Sequence, residues 1–216
     1  MKLYFQGNQY LKEGDASQAI ALYNQALSLA KNQTSFHLPK GSILMKRAHA
    51  YAKKASEDQR TLRALVRDLA DDVPSASTVK TLFQTASSIP STSTLIFNRF
   101  AGDSKKIQQS FRQIRYRHGM YEFALLHAVQ DSLQSTQLLP DDSKVWFLAG
   151  ECLAELRKLK ESNQYYQRAL EIDPNMDPYI LTRAIEKNRV TQDFMDVARG
   201  SGFSGDTLRL ALDVAA

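Results

Sequence analysis

The sequence has little of several features on which common protein classes depend. Its 216 residues include one cysteine, Cys152, which excludes a disulfide within the chain, and a lone thiol suits a reducing compartment. No stretch approaches the roughly 18–20 apolar residues of a membrane span, and the N-terminus lacks the basic-then-apolar pattern of a signal peptide. We therefore expect a soluble protein of the cytoplasm, with the nucleus as an alternative.

The sequence also lacks the residue patterns of common catalytic, metal and cofactor sites. Its four histidines are widely spread, and none has a metal-binding spacing such as HExxH. The glycines between residues 200 and 205 lack the lysine and the preceding strand of a phosphate loop. Glu151 and Glu155 lie near Cys152 and would raise the pKa of its thiol, which disfavours a nucleophile. We expect no enzyme activity, no cofactor and no metal site.

Two segments carry apolar and small residues at the spacing of paired helices. In residues 3–31 this pattern is interrupted by Gly14-Asp15, a turn in which Asp15 caps the second helix. Small residues would let the two helices approach closely, while tyrosines fill the gaps. The same intervals recur in residues 144–174: Gly7 with Gly150, Ala19 with Ser162, Tyr23 with Tyr166, and Ala26 with Ala169. The chain thus contains two copies of one helical pair.

Both segments resemble tetratricopeptide repeats. The residues that carry the resemblance are Gly7, Tyr10, Ala19, Tyr23 and Ala26 in the first segment and Trp146, Gly150, Tyr166, Ala169 and Pro174 in the second. Leu153 and Ser162 depart from the usual aromatic residue and alanine, and Lys31 replaces the usual closing proline. The resemblance implies one all-α domain over residues 1–216. It would be a right-handed α-solenoid of roughly four to five tetratricopeptide-like helix pairs, with a C-terminal capping helix in residues 177–216.

The stretch LYFQG at residues 3–7 permits two interpretations. It matches the tail of a protease recognition site, yet Leu3 and Gly7 occupy helix positions that the repeat fills with an apolar and a small residue. We favour a native first helix, and any role assigned to Tyr4 depends on this choice.

Two registers are open for the middle of the chain, residues 56–118. In the first, a continuous array, three repeats follow one another: residues 42–71, 73–102 and 104–137. In the second, residues 42–54 pair directly with residues 119–137, and roughly sixty residues are inserted into one repeat. Ala48 stands in the glycine position and precedes Gly150 by 102 residues, three times the 34-residue period. On this spacing we favour the continuous array.

A basic stretch lies between these repeats. Its six basic residues are Arg99, Lys105, Lys106, Arg112, Arg115 and Arg117. With one acid among them they carry a net charge of +5, as much as the whole chain. On a helix Ile107, Phe111 and Ile114 would form the buried face, so we expect the charges to form the solvated face. An acidic protein partner is an alternative, and nucleic acid is a weaker one.

The resemblance also implies that the first helix of each pair lines a concave groove for a partner peptide or helix. The residues expected to line it are Tyr4, Asn8, Lys46, Arg47, His49, Lys144, Phe147, Leu148 and Glu151. Asn8 and the three cations would donate to carboxylates or backbone, and Tyr4, Phe147 and Leu148 would make apolar or aromatic contacts. The expected function is a non-catalytic protein–protein adaptor.

One subset of the family binds the acidic C-terminal tails of Hsp70 and Hsp90, using lysine, arginine and asparagine side chains that clamp two carboxylates. At the clamp positions Asn8 and Lys144 match. Tyr4, Lys46 and Leu148 depart, although Lys46 keeps a donor. The match at Lys144 requires the second register. A co-chaperone is therefore one alternative function, and a regulatory or substrate-docking segment of a larger enzyme is another.

Overall fold

The structure, a computed structural model, describes residues 2–32, 40–71 and 104–200, and in these ranges it contains helices and no strand. The helices are α1 (Lys2–Glu13), α2 (Ala16–Asn32), α3 (Lys40–Asp71), α4 (Ser104–Leu138), α5 (Ser143–Glu155), α6 (Leu159–Ile172) and α7 (Pro178–Gly200). The predicted all-α class is confirmed. The chain divides into two compact units, residues 1–55 with 122–192 (unit 1) and residues 56–121 with 193–216 (unit 2). The single domain expected over residues 1–216 stays a prediction.

The first helical pair in unit 1, α1 and α2, turns at Gly14. This glycine has a φ of +99°, a left-handed conformation that costs a residue without a Cβ little. The carboxylate of Asp15 then accepts a hydrogen bond of 2.9 Å from the backbone N–H of Gln18, which caps α2. Gly7 lets the helices approach, because a Cβ there would come within 2.7 Å of Cε1 of Tyr23. The turn, the cap and the close approach that we predicted are present.

The pair of α5 and α6 repeats this packing. A Cβ on Gly150 would come within 2.5 Å of Cε1 of Tyr166. Arg157 stands at the place of Gly14 and has a φ of +60°, so this turn keeps the left-handed geometry without a glycine. Ser162, which departs from the family's alanine, donates a hydrogen bond of 2.8 Å to the carbonyl oxygen of Gly150. Its hydroxyl is therefore satisfied inside the interface.

The middle pair consists of α3 and α4. In unit 1 three contacts join them: Ser135 Oγ with the carbonyl oxygen of Gly41 at 3.2 Å, Arg47 Nε with Asp131 Oδ2 at 2.7 Å, and the stacked rings of Tyr51 and His127 at 5.0 Å between centroids. Residue numbers rise along α3 as they fall along α4, so these two helices are antiparallel. The start of α3 therefore pairs directly with the end of α4, as the second register predicts.

The continuous array that we favoured is wrong for the described residues. It requires a turn within residues 42–71 and another within residues 104–137, but α3 and α4 are each one unbroken helix. The reason is local: the stretch KASEDQRTLRAL at residues 54–65 contains neither glycine nor proline, so nothing ends α3 there. The array's middle repeat, residues 73–102, lies outside the described residues. Within those residues there are three helical pairs and α7, where roughly four to five pairs were expected.

Unit 2 contains later residues of α3 and earlier residues of α4. Asp58 is 1% exposed and accepts a hydrogen bond of 3.2 Å from Nη1 of Arg117. Leu62, Val66 and Ile114 are buried in the same unit. The prediction that Ile114 lies on the buried face of its helix is confirmed.

Helix α7 begins the predicted capping segment. In unit 1 the amide nitrogen of Asn188, which is 3% exposed, donates to Ser162 Oγ at 2.9 Å and to Asn163 Oδ1 at 2.8 Å. Leu181 of α7 is fully buried. A helix is thus present in the predicted capping segment, residues 177–216, and is attached to α6 by hydrogen bonds, while residues 201–216 lie outside the described residues.

Candidate protein-binding site

A cleft of about 830 Å³ lies in unit 1 between α1 and α3. Its lining residues are Phe5, Asn8, Gln9, Leu11 and Lys12 of α1 and Lys46, His49 and Lys53 of α3. Those of α3 follow the i, i+3, i+7 spacing of one helix face. Three of the lining residues are lysines and none is acidic, so the cleft concentrates positive charge between two helices.

Asn8 is held in position by the first helical pair. Its Oδ1 accepts a hydrogen bond of 2.8 Å from the hydroxyl of Tyr23, which is fully buried. Burial, with a smaller contribution from Tyr4, raises the pKa of Tyr23, so the phenol keeps the proton that it donates. This bond occupies the acceptor end of the Asn8 amide and leaves the Nδ2 donors for a ligand.

The three lysines of the cleft have different roles. Nζ of Lys53 donates a hydrogen bond of 3.1 Å to the carbonyl oxygen of Leu11, in the last turn of α1, where carbonyls lack a partner in the helix. Lys53 therefore joins α3 to α1. Lys12 and Lys46 make no hydrogen bond or ion pair within the described residues, so their charges are free to meet an anion.

His49 lies between Lys46 and Lys53 on the cleft face of α3. Its side chain retains contact with solvent, yet partial desolvation of the ring lowers its pKa, and the two lysines lower it further. The imidazole is therefore held in its neutral form at neutral pH.

Arg47 does not line the cleft. Its guanidinium binds both carboxylate oxygens of Asp131, at 2.7 and 2.8 Å, and donates to Oδ1 of Asn24 at 2.5 Å. Asp131 is 2% exposed, so this pair is an internal contact between α3 and α4. The donor that we expected to meet a partner instead stabilises the middle pair.

The other predicted groove residues also lie outside the lining of the cleft. The ring of Tyr4 contacts Tyr23 at 6.1 Å between centroids, and Phe147 contacts Tyr166 at 5.4 Å. Leu148 is partly buried against a cluster formed by α4 and α5. These three side chains support the helical pairs, and none of them is among the residues that line the cleft.

Lys144 and Glu151 of α5 are exposed. Desolvation raises the pKa of the Glu151 carboxyl, Glu155 raises it further, and Lys187 of α7 lowers it. Neither residue lines the cleft, so their predicted groove roles stay predictions.

Five cleft residues were not predicted from the sequence, and four of them belong to α1: Phe5, Gln9, Leu11 and Lys12. The fifth is Lys53 of α3. A signal for Lys53 exists in its spacing from Lys46 and His49. The α1 residues could be recognised only once the neighbour of α1 was known, because helical spacing alone does not say which face meets another helix.

The basic stretch is partly described, and its described members belong to α4. Lys105 and Lys106 lie in the first turn of α4, and Arg99 lies outside the described residues. Arg112 and Arg115 are exposed in unit 2, as expected for a solvated face. Arg117 instead pairs with Asp58 at 3.2 Å. Arg117 thus has an internal carboxylate partner, and the patch of six cations stays a prediction.

The lone thiol of the chain lies in the core. Cys152 is 1% exposed, and its pKa is raised to about 12, first by desolvation and then by Glu151, Glu155 and Asp131. Such a thiol is a poor nucleophile. Among the described residues there is no group of side chains with metal-binding geometry. None of their helices is long and apolar enough to cross a membrane.

Helical pairs that recur with the same small–aromatic contact define an α-helical repeat protein. Models of the tetratricopeptide repeat match residues 3–33 and residues 143–176, in agreement with the two segments recognised in the sequence. The chain thus contains two segments that match the tetratricopeptide repeat, and such repeats form a protein–protein interaction module and are typically non-catalytic. No curated protein matches the chain.

Proposed function

We propose that the protein is a non-catalytic adaptor that holds an acidic segment of a protein partner in the cleft between α1 and α3. The observation that carries this proposal is the lining of the cleft, with three lysines, one histidine and no acid. An uncompensated positive cleft attracts anionic partners and excludes cationic ones.

Each type of lining residue has a role in this proposal. Lys12 and Lys46 are not engaged within the described residues and would pair with carboxylates of the partner. The Nδ2 group of Asn8 would donate to a carboxylate or a backbone carbonyl, since its Oδ1 already accepts from Tyr23. Phe5 and Leu11 supply apolar surface at the same cleft, which favours a peptide over a free anion.

Fluorescence anisotropy with a labelled peptide of alternating glutamate and glycine tests the proposal. We expect binding that weakens as salt is added, because the Debye length falls to about 10 Å at 0.1 M. Lys46→Glu should weaken binding about tenfold, the equivalent of 1.4 kcal/mol. Lys160→Glu makes the same charge change on the exposed surface of α6 and should leave binding nearly unchanged. Equal effects of the two variants would reject the cleft as the binding site.

Recognition of an acidic chain end, as in a co-chaperone, is the second candidate. One observation favours it, namely the direct pairing of α3 with α4. Because of this pairing, α1, α3 and α5 are the first helices of consecutive pairs. The clamp at Asn8 and Lys144 requires this register. An acidic peptide with an amidated C-terminus separates the two candidates. Loss of binding on amidation, together with weaker binding by Asn8→Ala and Lys144→Ala, would support the chain-end candidate. Equal binding of both peptides would reject it.

A further inference from the structure

We propose that His49 is a proton-dependent ligand of the cleft, whose imidazolium donates to a carboxylate of the bound partner segment. Binding then takes up a proton from solution, so the affinity of the cleft for the partner segment rises as the pH falls. This inference rests on the proposed function, because it assigns a role to one residue of the same site.

The position of His49 makes it the central residue of the α3 side of the cleft. It follows Lys46 by one helical turn and precedes Lys53 by another, and all three side chains line the cleft. Within the described residues His49 makes no hydrogen bond or ion pair. Both ring nitrogens are therefore available to a ligand in the cleft.

The charged groups around His49 are cations. On its own helix these are Lys46 and Lys53, and on α1 it is Lys12. Glu13, at the end of α1, accepts a hydrogen bond of 2.9 Å from Nε2 of Gln9 and does not line the cleft. Hence no carboxylate in the cleft lining favours the protonated form of the imidazole. A carboxylate supplied by a partner would do so and would raise the pKa of the ring.

The direction of the pH effect follows from these charges. In the free protein desolvation and the two α3 lysines lower the pKa of His49 below its ordinary value, about 6.5. A carboxylate beside the ring favours the charged form and raises that pKa. By linkage, the affinity rises as the pH falls through the pKa of the bound state and levels off below the lowered pKa of the free state.

The test measures binding of the glutamate–glycine peptide at pH 8.0 and at pH 5.5, where the peptide carboxylates, with a pKa of about 4.3, are still ionised. For the unsubstituted protein we expect about fivefold tighter binding at the lower pH, the upper range for a solvent-exposed ion pair. His49→Gln should bind at both pH values as the protein does at pH 8.0. His49→Arg should bind tightly at both, because its charge is permanent.

His127→Gln is the matched control. His127 lies on α4, where it stacks on Tyr51 and contacts Phe123 edge-on at 4.4 Å, and it does not line the cleft. This variant should keep the full pH dependence. Peptide binding that does not change with pH, or a pH dependence that persists in His49→Gln, would overturn the role of His49 and leave the proposed function standing. No peptide binding at either pH would overturn both.

Discussion

The pairing of α3 with α4 leads to a prediction about the Arg47–Asp131 contact. Asp131 has a side chain that is 3% exposed, and both of its carboxylate oxygens bind the guanidinium of Arg47. Asp131→Ala leaves this cation without its main partner. Breaking a buried ion pair by removing one member costs about 3–5 kcal/mol. We expect about 3 kcal/mol, at the lower end of that range, because Arg47 keeps Asn24 and its side chain is 20% exposed.

Urea unfolding followed by far-ultraviolet circular dichroism measures this loss as a lower midpoint at an unchanged slope. Asp141→Ala is the control, since Asp141 is exposed and should change stability by less than about 0.5 kcal/mol. Replacing both members of the pair, by Arg47→Met with Asp131→Leu, should recover most of the loss, because no buried charge is then left alone. A cost for Asp131→Ala as small as that of the control would refute the pairing, since the side chain would then be solvated.

Two further predictions concern the turns and the capping helix. Gly14→Ala should lose about 1–2 kcal/mol in urea unfolding because of the left-handed φ of +99°. Gly119→Ala, in the open middle of α4 where a Cβ meets nothing within 4 Å, should instead gain about 0.5–1 kcal/mol, and the same sign for both would contradict the turn geometry. Asn188→Ala removes donors to Ser162 and Asn163, so we expect a loss of about 1–3 kcal/mol and faster amide exchange in α7. Unchanged exchange there would argue against this attachment.

The first and last helical pairs could be predicted because their signals are local. A glycine, a tyrosine sixteen residues later and a turn between them describe the whole contact, as the Gly7–Tyr23 and Gly150–Tyr166 approaches confirm. Even the departure at Ser162 has a local explanation in its bond to Gly150. Such pairs are encoded within one repeat, so no knowledge of the rest of the chain is needed.

The middle pair could not be predicted, because its partners are far apart in the sequence. Arg47 and Asp131 are separated by 84 residues, and helical periodicity reports a buried face without naming what buries it. The spacing of Ala48 from Gly150 equals three repeat periods. Because α3 and α4 are unbroken helices, this spacing does not reflect three consecutive repeats. The sequence does carry one signal for the second register, since residues 54–65 contain neither glycine nor proline.

The candidate site was predicted in part for the same reason. Asn8, Lys46 and His49 were identified from their positions on the first helices, and all three line the cleft. Arg47 neighbours Lys46 in the sequence, but one residue along a helix rotates the side chain by about 100°, toward Asp131 rather than the cleft. Lys53 was missed because its role depends on the end of α1, which supplies the carbonyl that it binds.

The most direct test of the account locates an acidic peptide on the protein by ¹H–¹⁵N NMR titration of the full chain. The account predicts that the largest chemical-shift changes occur at the cleft residues Asn8, Lys46 and His49 and that Lys46→Glu moves them to about tenfold higher peptide concentration. Changes concentrated instead at the exposed cations Arg112 and Arg115 of α4 would contradict it.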